Sequence, residues 1–565
     1  MAQAHVGTVD YGREGSEINQ GQNKLIFWGC WIALITTAFG FINRMFLLPT
    51  WAAEFNLDPA QVGRLAGIGI WPFAVSIIGF SLIIDRIGYK TAMLISFLGY
   101  TIWAIMGVSA YYVSQGGNKD AAYQLLYWGS LILGLSNGTV EAYINPVVAT
   151  IFKREKTKWL NILHAGWPGG LVLAGLIMIG IDHSSMKNVW SIKVGMIAIP
   201  AVVFLVMLIG VKFPVQERVA AGVSYREMLA EFGIMGALVV GFLITLQLMD
   251  FASASGARKL STTEYAVFIA IGLAIVAGFA AYTKSMGRGF MFFMIIIMIP
   301  LATTEIGTDG WITDVMKDAL KDVHAGWLLV YTSAIMMVLR FFAGPVIHAL
   351  SPIGLLATCA VLAIAGLTFL ASATTVFLIF VAATLYAFGK TFFWPTMLGV
   401  VSDQTPRGGA LTLNALGGIG MLAVGVLGFP YIGTLKADKN IDEIAATSAA
   451  KSVPGLVQDG TLAPAFLKDS SIYEIIKYKT VDDAKLAAVT ATLPKEKQAE
   501  IAEASKASPQ KALGRMAMFP AIMLVGYIIL LVYFKSRGGY SAKVLTGHSA
   551  EDKKFTGGVA GPMEA

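Results

Sequence analysis

The sequence predicts an all-α integral membrane protein: two six-helix halves joined by a two-helix insert, fourteen spans in all. Three observations predict it. First, the 565-residue chain is 56% hydrophobic and only 14% charged, with a mean hydropathy of +0.67. A water-soluble domain carries roughly 25% charged residues. Second, apolar runs of about 18 residues or more recur throughout, which is the length of a membrane helix rather than a barrel strand. Third, the chain repeats itself. A shift of 263 residues lays GRLAGIGIWPFAVSIIGFSLIIDRIGYK over GWLLVYTSAIMMVLRFFAGPVIHALSPI, so that Gly63 meets Gly326 and Asp85 meets His348. A shift of 249 lays Asn145–Pro146 over Trp394–Pro395. Two parallel repeats flanking an even insert are a transporter architecture, with the substrate site at their interface near the midplane.

The elements follow in order. Residues 1–24 are polar and form a tail; they show no basic segment leading into a short apolar core and a cleavage site, so no removable leader is expected. Residues 25–213 form the first half, with spans at 25–48, 63–84, 91–113, 122–151, 160–181 and 190–213. Residues 214–288 are a linker carrying the inserted spans 233–250 and 264–283. Residues 289–535 form the second half, with spans at 289–314, 325–350, 353–372, 373–401, 409–434 and 514–535. Between its last two spans lies a polar loop, 435–513, whose PKEKQAEIAEASK has helix-forming composition. It reads as a partly helical outer cap. Residues 536–565 form a second tail.

Charge gives the orientation. With the N-terminus inside, the short inner loops hold twelve Lys and Arg, among them Arg86, Lys90, Lys153, Arg154, Lys156 and Lys158, and the short outer loops hold eight. Both termini are therefore expected in the cytoplasm, with the protein in the cell membrane. The formal charge of +7 reflects these loops and not a nucleic-acid partner. Cys30 and Cys359 lie inside apolar runs and read as buried hydrophobes. No nucleotide loop, metal-ligand cluster or nucleophile constellation suggests an enzyme, and no cofactor is expected.

Ionisable groups inside a bilayer are functional candidates by default. The stretch SNGTVEAYINPVVATIFKREKTKWLNILHAGWPGG holds Glu141 before a basic loop and Asn161, His164 and a glycine cluster after it. Asn137, Glu141 and Asn145 fall at i, i+4 and i+8, one face of a helix. Glu305 and Asp309 also fall four apart; two acids so placed repel, and one is expected to hold a proton. The 249-residue shift lays Glu141 over Lys390, and the 263-residue shift lays Arg44 within a turn of Glu305. Equivalent positions thus carry opposite charges, which predicts a cavity of compensated charge, joined by Arg340. The bland alternative is that these groups are structural ties between helices. His164 is a proton relay, a substrate contact or simply a hydrogen-bonded polar group. Trp71, Trp167, Trp311 and Trp394 could stack on a sugar ring or could be packing residues; Trp311 and Trp394 lie nearest the charges. Gly166, Gly169 and Gly170 suit close helix packing.

SLIIDRIGYK resembles the signature of the major facilitator superfamily between its second and third helices, G-x-x-x-D-R-x-G-x-K. Asp85, Arg86, Gly88 and Lys90 match, and Ser81 replaces the first Gly. In that family the motif forms an inner gate. VEAYINP and LNILH then resemble the fucose permease branch, with Glu141, Asn145, Pro146, Leu160 and Asn161 matching and His164 standing where the branch has Gln. LRFFAG, with Arg340, resembles the branch's eighth helix; TEIGTDGW and FWPT are looser likenesses. The resemblance implies the major facilitator fold, with family helices 1, 4, 7 and 10 (spans 1, 4, 9 and 12 here) lining the cavity. It also implies a monomeric secondary transporter in a lipid bilayer that moves a small solute, a sugar or polyol by proton symport, with the proton gradient as driving force. In one place the chain departs from the branch: NRMFLLP offers Arg44 where the branch carries an acid. Two other readings stay open. One is an organic-anion or sugar-acid carrier using Arg44, Arg340 and Lys390. The other is a non-transporting sensor whose outer loop binds.

Overall fold

In a computed structural model, residues 20–57, 59–253, 258–320, 326–543 and 545 are described. The tails up to residue 19 and beyond 545, expected on the inner face, lie outside them, as does Lys321. The described chain is a bundle of long helices, and twelve of them are long and apolar enough to cross a membrane. A thirteenth is the bent pair Gly326–Phe341 and Ala343–Leu350, which turns by 70°. The fourteenth is Lys119–Ile151, whose 33 residues reach about 50 Å at 1.5 Å per residue. It falls short on apolarity because it carries Asn137, Glu141 and Asn145.

Glycines decide how closely the helices approach. In Lys119–Ile151, a Cβ at Gly138 would lie 2.2 Å from the Phe73 carbonyl oxygen. Only hydrogen fits there, and this locks the fourth span onto the second. Gly166 and Gly170 press on the first span, where a Cβ would meet the Trp31 oxygen at 2.8 Å and the Ala38 Cβ at 2.6 Å. The second and fifth spans are broken: Pro59–Gly67 precedes Trp71–Ile87, and Lys156–Leu163 precedes Gly166–Asp182.

The two halves meet along the second span against Gly409–Ala423, and along the fifth against Gly326–Phe341. At the end of the bundle bearing the basic loops they are pressed together. Thr157 Oγ1 donates to Asp403 Oδ2 at 2.8 Å, and a Cβ at Gly399 would lie 2.6 Å from the Thr157 Cα. At the other end they part.

The insert is asymmetric. Tyr225–Ala252 packs on the second half, and Thr262–Thr283 packs on Tyr225–Ala252. In that outer helix only Gly272 and Thr283 are fully buried; one side, with Phe268 and Phe279, packs on the inner helix and the other faces the surface the bilayer covers. Gly233 breaks the inner helix, with φ 62° and ψ −167°. A side chain there would strike the Gly287 backbone, 2.1 Å away.

The polar loop between the last two spans is folded. Phe429–Ala446 and Lys495–Met516 prolong two spans into a stalk, held by Lys439 and Lys511 on Glu443 and by Arg515 on Asp442. The stalk carries two antiparallel hairpins and a small core of its own, including Ile441, Ile444, Leu456, Leu462 and Ile501. The sequence prediction of a helical cap holds for the stalk. It missed the strands, which are short and mix polar with apolar residues on both faces.

Candidate functional site

A cavity of 1280 Å³ opens between the halves at the cap end. Arg44, Asp182, Lys193, Trp311 and Tyr473 are among its lining residues. Arg44 projects from the first span into the break of the second. Its Nη2 donates to the Leu65 and Ala66 carbonyls, both at 2.7 Å. These belong to the last turn of Pro59–Gly67, where helix carbonyls lack a helical donor. A Cβ at Gly69 would collide with the guanidinium, so glycine makes room for it. Arg44 Nε has no hydrogen-bond partner among the described residues. Trp311 presents its ring to the Lys436 ammonium, 4.0 Å from the ring centroid. This is a cation–π contact.

Below the cavity runs a buried polar chain that crosses from one half to the other. Asn145 Nδ2 donates to Glu141 Oε2 at 2.7 Å. Asn145 Oδ1 lies 3.0 Å from His164 Nε2. The His164 carbonyl accepts from Arg340 Nη1 at 2.7 Å. Arg340 Nη2 donates to Glu305 Oε1 at 2.9 Å, and the Trp394 backbone N–H donates to Glu305 Oε2 at 3.1 Å. Beside it, Lys390 Nζ pairs with Asp309. All eight of these residues are buried.

The fourth and ninth spans position these groups in different ways. On the fourth, the i, i+4, i+8 spacing stacks Asn137, Glu141 and Asn145 as expected. Asn137 accepts from the Tyr100 hydroxyl at 2.9 Å, which ties it to the third span. On the ninth, a π-helical turn over Thr303–Gly307 carries Glu305. Such turns displace side chains from the regular face and recur at functional sites.

The structure supplies the partners that the repeat leaves open. Glu141 and Lys390 are equivalent by repeat but are not partners: Lys390 holds Asp309, and Glu141 holds an amide. Arg44 holds backbone carbonyls and not Glu305. Glu305 and Asp309 each have their own cation, Arg340 and Lys390. The repeat aligned backbones, but side-chain length and helix rotation chose the partners. Asn161 lies toward the basic-loop end, donating to Thr396 Oγ1 at 3.1 Å. Trp394 packs its ring onto Gly417 and Gly420, and it does not line the cavity.

The loop motif is engaged. Asp85 pairs with Arg218, a fully buried residue of the linker after the sixth span. Gly88, at φ 81°, makes the turn between the second and third spans. Arg86 is exposed, and neither it nor Lys90 forms an ion pair among the described residues. Lys156 reaches Glu217 of the same linker at 2.6 Å.

Sequence reasoning missed Asn414, Arg218, Asp403 and Tyr473. Asn414 donates to the Ala142 carbonyl at 2.9 Å across the halves. It is an amide in an apolar run, 253 residues after Asn161, and that signal could have found it. Tyr473, in a polar loop, gave none.

The family model described as Major Facilitator Superfamily matches residues 30–313, half of the chain. The chain belongs to the major facilitator superfamily. Members are transporters embedded in the membrane, and they take small-molecule substrates. Among solved structures, the proton:xylose symporter XylE, in a double-tryptophan variant, is similar at a TM-score of 0.54 and 13% identity, over 94% of this chain and 98% of that one. The fucose:proton symporter FucP of E. coli is similar at a TM-score of 0.49 and 12% identity, over 89% and 98%. The likeness to XylE is one of fold. A curated relative, the probable 4-methylmuconolactone transporter of Cupriavidus pinatubonensis, is 22% identical over 189 residues, 33% of this chain. The match spans only 41% of that relative's length.

Proposed function

We propose that this chain is a secondary active transporter that moves a sugar or polyol by proton symport, with the two halves rocking about the buried polar chain. One observation carries the reading: hydrogen-bonding groups from both halves meet in a buried polar path, joined across the halves at the His164 main chain, beneath a cavity large enough for a small solute. Among the described residues, each basic group on that path already has an acid partner. A neutral polyhydroxylated solute suits such balance, because it offers donors and acceptors without adding charge.

Glu141 is the proposed proton site. It is a buried carboxylate facing a neutral amide and no cation among the described residues. Asn145 can donate to it whether it is charged or protonated, so a proton can come and go without rebuilding the site. Asn145 and His164 continue the path to Arg340. We further propose that both termini face the cytoplasm, that the membrane is the cell membrane, that the chain works as a monomer and that its boundaries are those given above.

Arg44 favours a second reading, an organic-anion carrier. It lines the cavity, and no acid partners it among the described residues. The relative from Cupriavidus lends this reading some weight. Uptake into proteoliposomes decides between them. Accumulation of hexoses or polyols driven by a pH gradient supports the first, and accumulation of carboxylates or lactones alone supports the second.

A further inference from the structure

Proline has no N–H, so the carbonyl four residues before it loses its helical donor. Four such carbonyls in this bundle are met by side chains. Pro146 leaves the Ala142 oxygen, and Asn414 Nδ2 donates to it at 2.9 Å. Pro168 leaves the His164 oxygen, which receives a 3.3 Å bond from the Trp167 N–H and a 2.7 Å bond from Arg340 Nη1. Pro395 leaves the Thr391 oxygen, and Arg340 Nε donates to it at 2.6 Å. Pro430 leaves the Val426 oxygen, and the Tyr473 hydroxyl of the cap hairpin donates to it at 2.9 Å.

The Asn414 bond to the Ala142 oxygen and the Arg340 bond to the His164 oxygen cross the boundary between the halves. Both acceptors belong to the first half, on the fourth and fifth spans. Both donors belong to the second half, on Gly409–Ala423 and Gly326–Phe341. Each acceptor is a buried backbone oxygen with a weakened claim on its own helix, and each donor is itself buried. Buried polar groups left unmatched are destabilising. These bonds therefore favour the arrangement in which the halves are closed at the basic-loop end and parted at the cap end.

We propose that Arg340 and Asn414 are positioning residues that latch the halves through the carbonyls released by Pro168 and Pro146, and that the latches break and reform as the cavity changes sides. The inference rests on the transport reading above and adds the device that holds one state. Glu305 keeps the Arg340 guanidinium aimed at both carbonyls. The prolines are part of the device: with an ordinary residue at 168, its own N–H would satisfy the His164 oxygen, and Arg340 would have less to hold.

The test is a double-variant cycle read by accessibility. Gly433 lines the cavity, and a Cβ there meets nothing within 4 Å. Gly433→Cys is therefore a reporter for a membrane-impermeant maleimide in proteoliposomes of the full chain. Arg340→Lys and Pro168→Ala should each lower the ratio of cap-accessible to closed protein, about tenfold for one charge-assisted bond. Together they should lower it no further than either alone, because both remove the same bond. A Pro168→Ala protein that labels like the parent, or effects that multiply in the double variant, would overturn the latch. If Arg340→Lys does not fold, the cycle of Asn414→Ala with Pro146→Ala asks the same question under the same criteria. Solute uptake by the parent is measured alongside. Uptake without coupling in the cycle rejects the latch and spares the transport reading; coupling without uptake of any solute rejects the transport reading, and with it the role of the latch in a transport cycle.

Discussion

Arg340→Met should be the most destabilising single change in the buried path. Three losses combine. Glu305 loses its cation, and breaking a buried pair this way costs about 3 kcal/mol at the low end. The His164 and Thr391 carbonyls each lose a donor, at about 1 kcal/mol apiece at the low end. The sum, about 5 kcal/mol, matches the entire net stability of many small soluble proteins. Arg340→Lys should cost only about 2 kcal/mol, since lysine restores the charge beside Glu305 but lacks the planar fork that reaches two carbonyls as well. Thermal unfolding of the purified protein in detergent should rank parent, lysine variant and methionine variant in that order. A lysine variant as stable as the parent would show that the carbonyl contacts contribute nothing. A methionine variant as stable as the lysine variant would show that the ion pair is energetically neutral.

Other perturbations separate the roles of individual groups. Glu141→Gln should abolish uphill accumulation yet spare exchange of labelled solute across the membrane; normal accumulation would remove Glu141 from coupling. Exchanging the charges of Lys390 and Asp309 should restore uptake lost in either single reversal, whereas exchanging those of Lys390 and Glu141 should not. Deleting residues 436–511 should leave measurable uptake, because the cap contributes no residue to the buried path; complete loss in a well-folded variant would favour the sensor reading. In the cap, the Ser448 side chain and the Ser448 and Ala449 N–H groups donate to Glu500 and hold its carboxyl below the usual range. Its contribution to cap stability is therefore full above the unfolded value of about 4.3 and fades as the pH falls through the lower folded value. Limited proteolysis of the cap against pH should show that loss, and Glu500→Gln should flatten it.

The span pattern was legible because a bilayer demands long apolar helices, and little else in a sequence looks like that. One span, Lys119–Ile151, is more polar than that pattern, for the same reason that marks it as functional. Glu141, Asn145, His164, Arg340 and Glu305 could be singled out one by one, since intramembrane polar groups are rare. Their partners could not. The repeat matched Glu141 with Lys390, but pairing depends on helix rotation, on the π-helical turn at Glu305 and on which side chain reaches farthest. Arg340 makes the case most clearly. Read from sequence it is an intramembrane charge, but in the fold two of its bonds go to backbone carbonyls, which no residue type announces. The prolines were visible at 146, 168 and 395, and each marks a released carbonyl four residues earlier. Nothing in the sequence said which donor would arrive. Tyr473 lay beyond reach altogether, in a loop whose hairpins depend on a core assembled from both ends of the cap.

The central claim is proton-driven movement of a neutral polyhydroxylated solute through this path. The most direct test is uptake of labelled hexoses and polyols into proteoliposomes of the full chain, with and without an inward pH gradient. Accumulation above equilibrium that needs the gradient, collapses with a protonophore and is absent in Glu141→Gln is the result predicted here. Accumulation that ignores the gradient, or that occurs with carboxylates or lactones and never with a hexose or polyol, would contradict it.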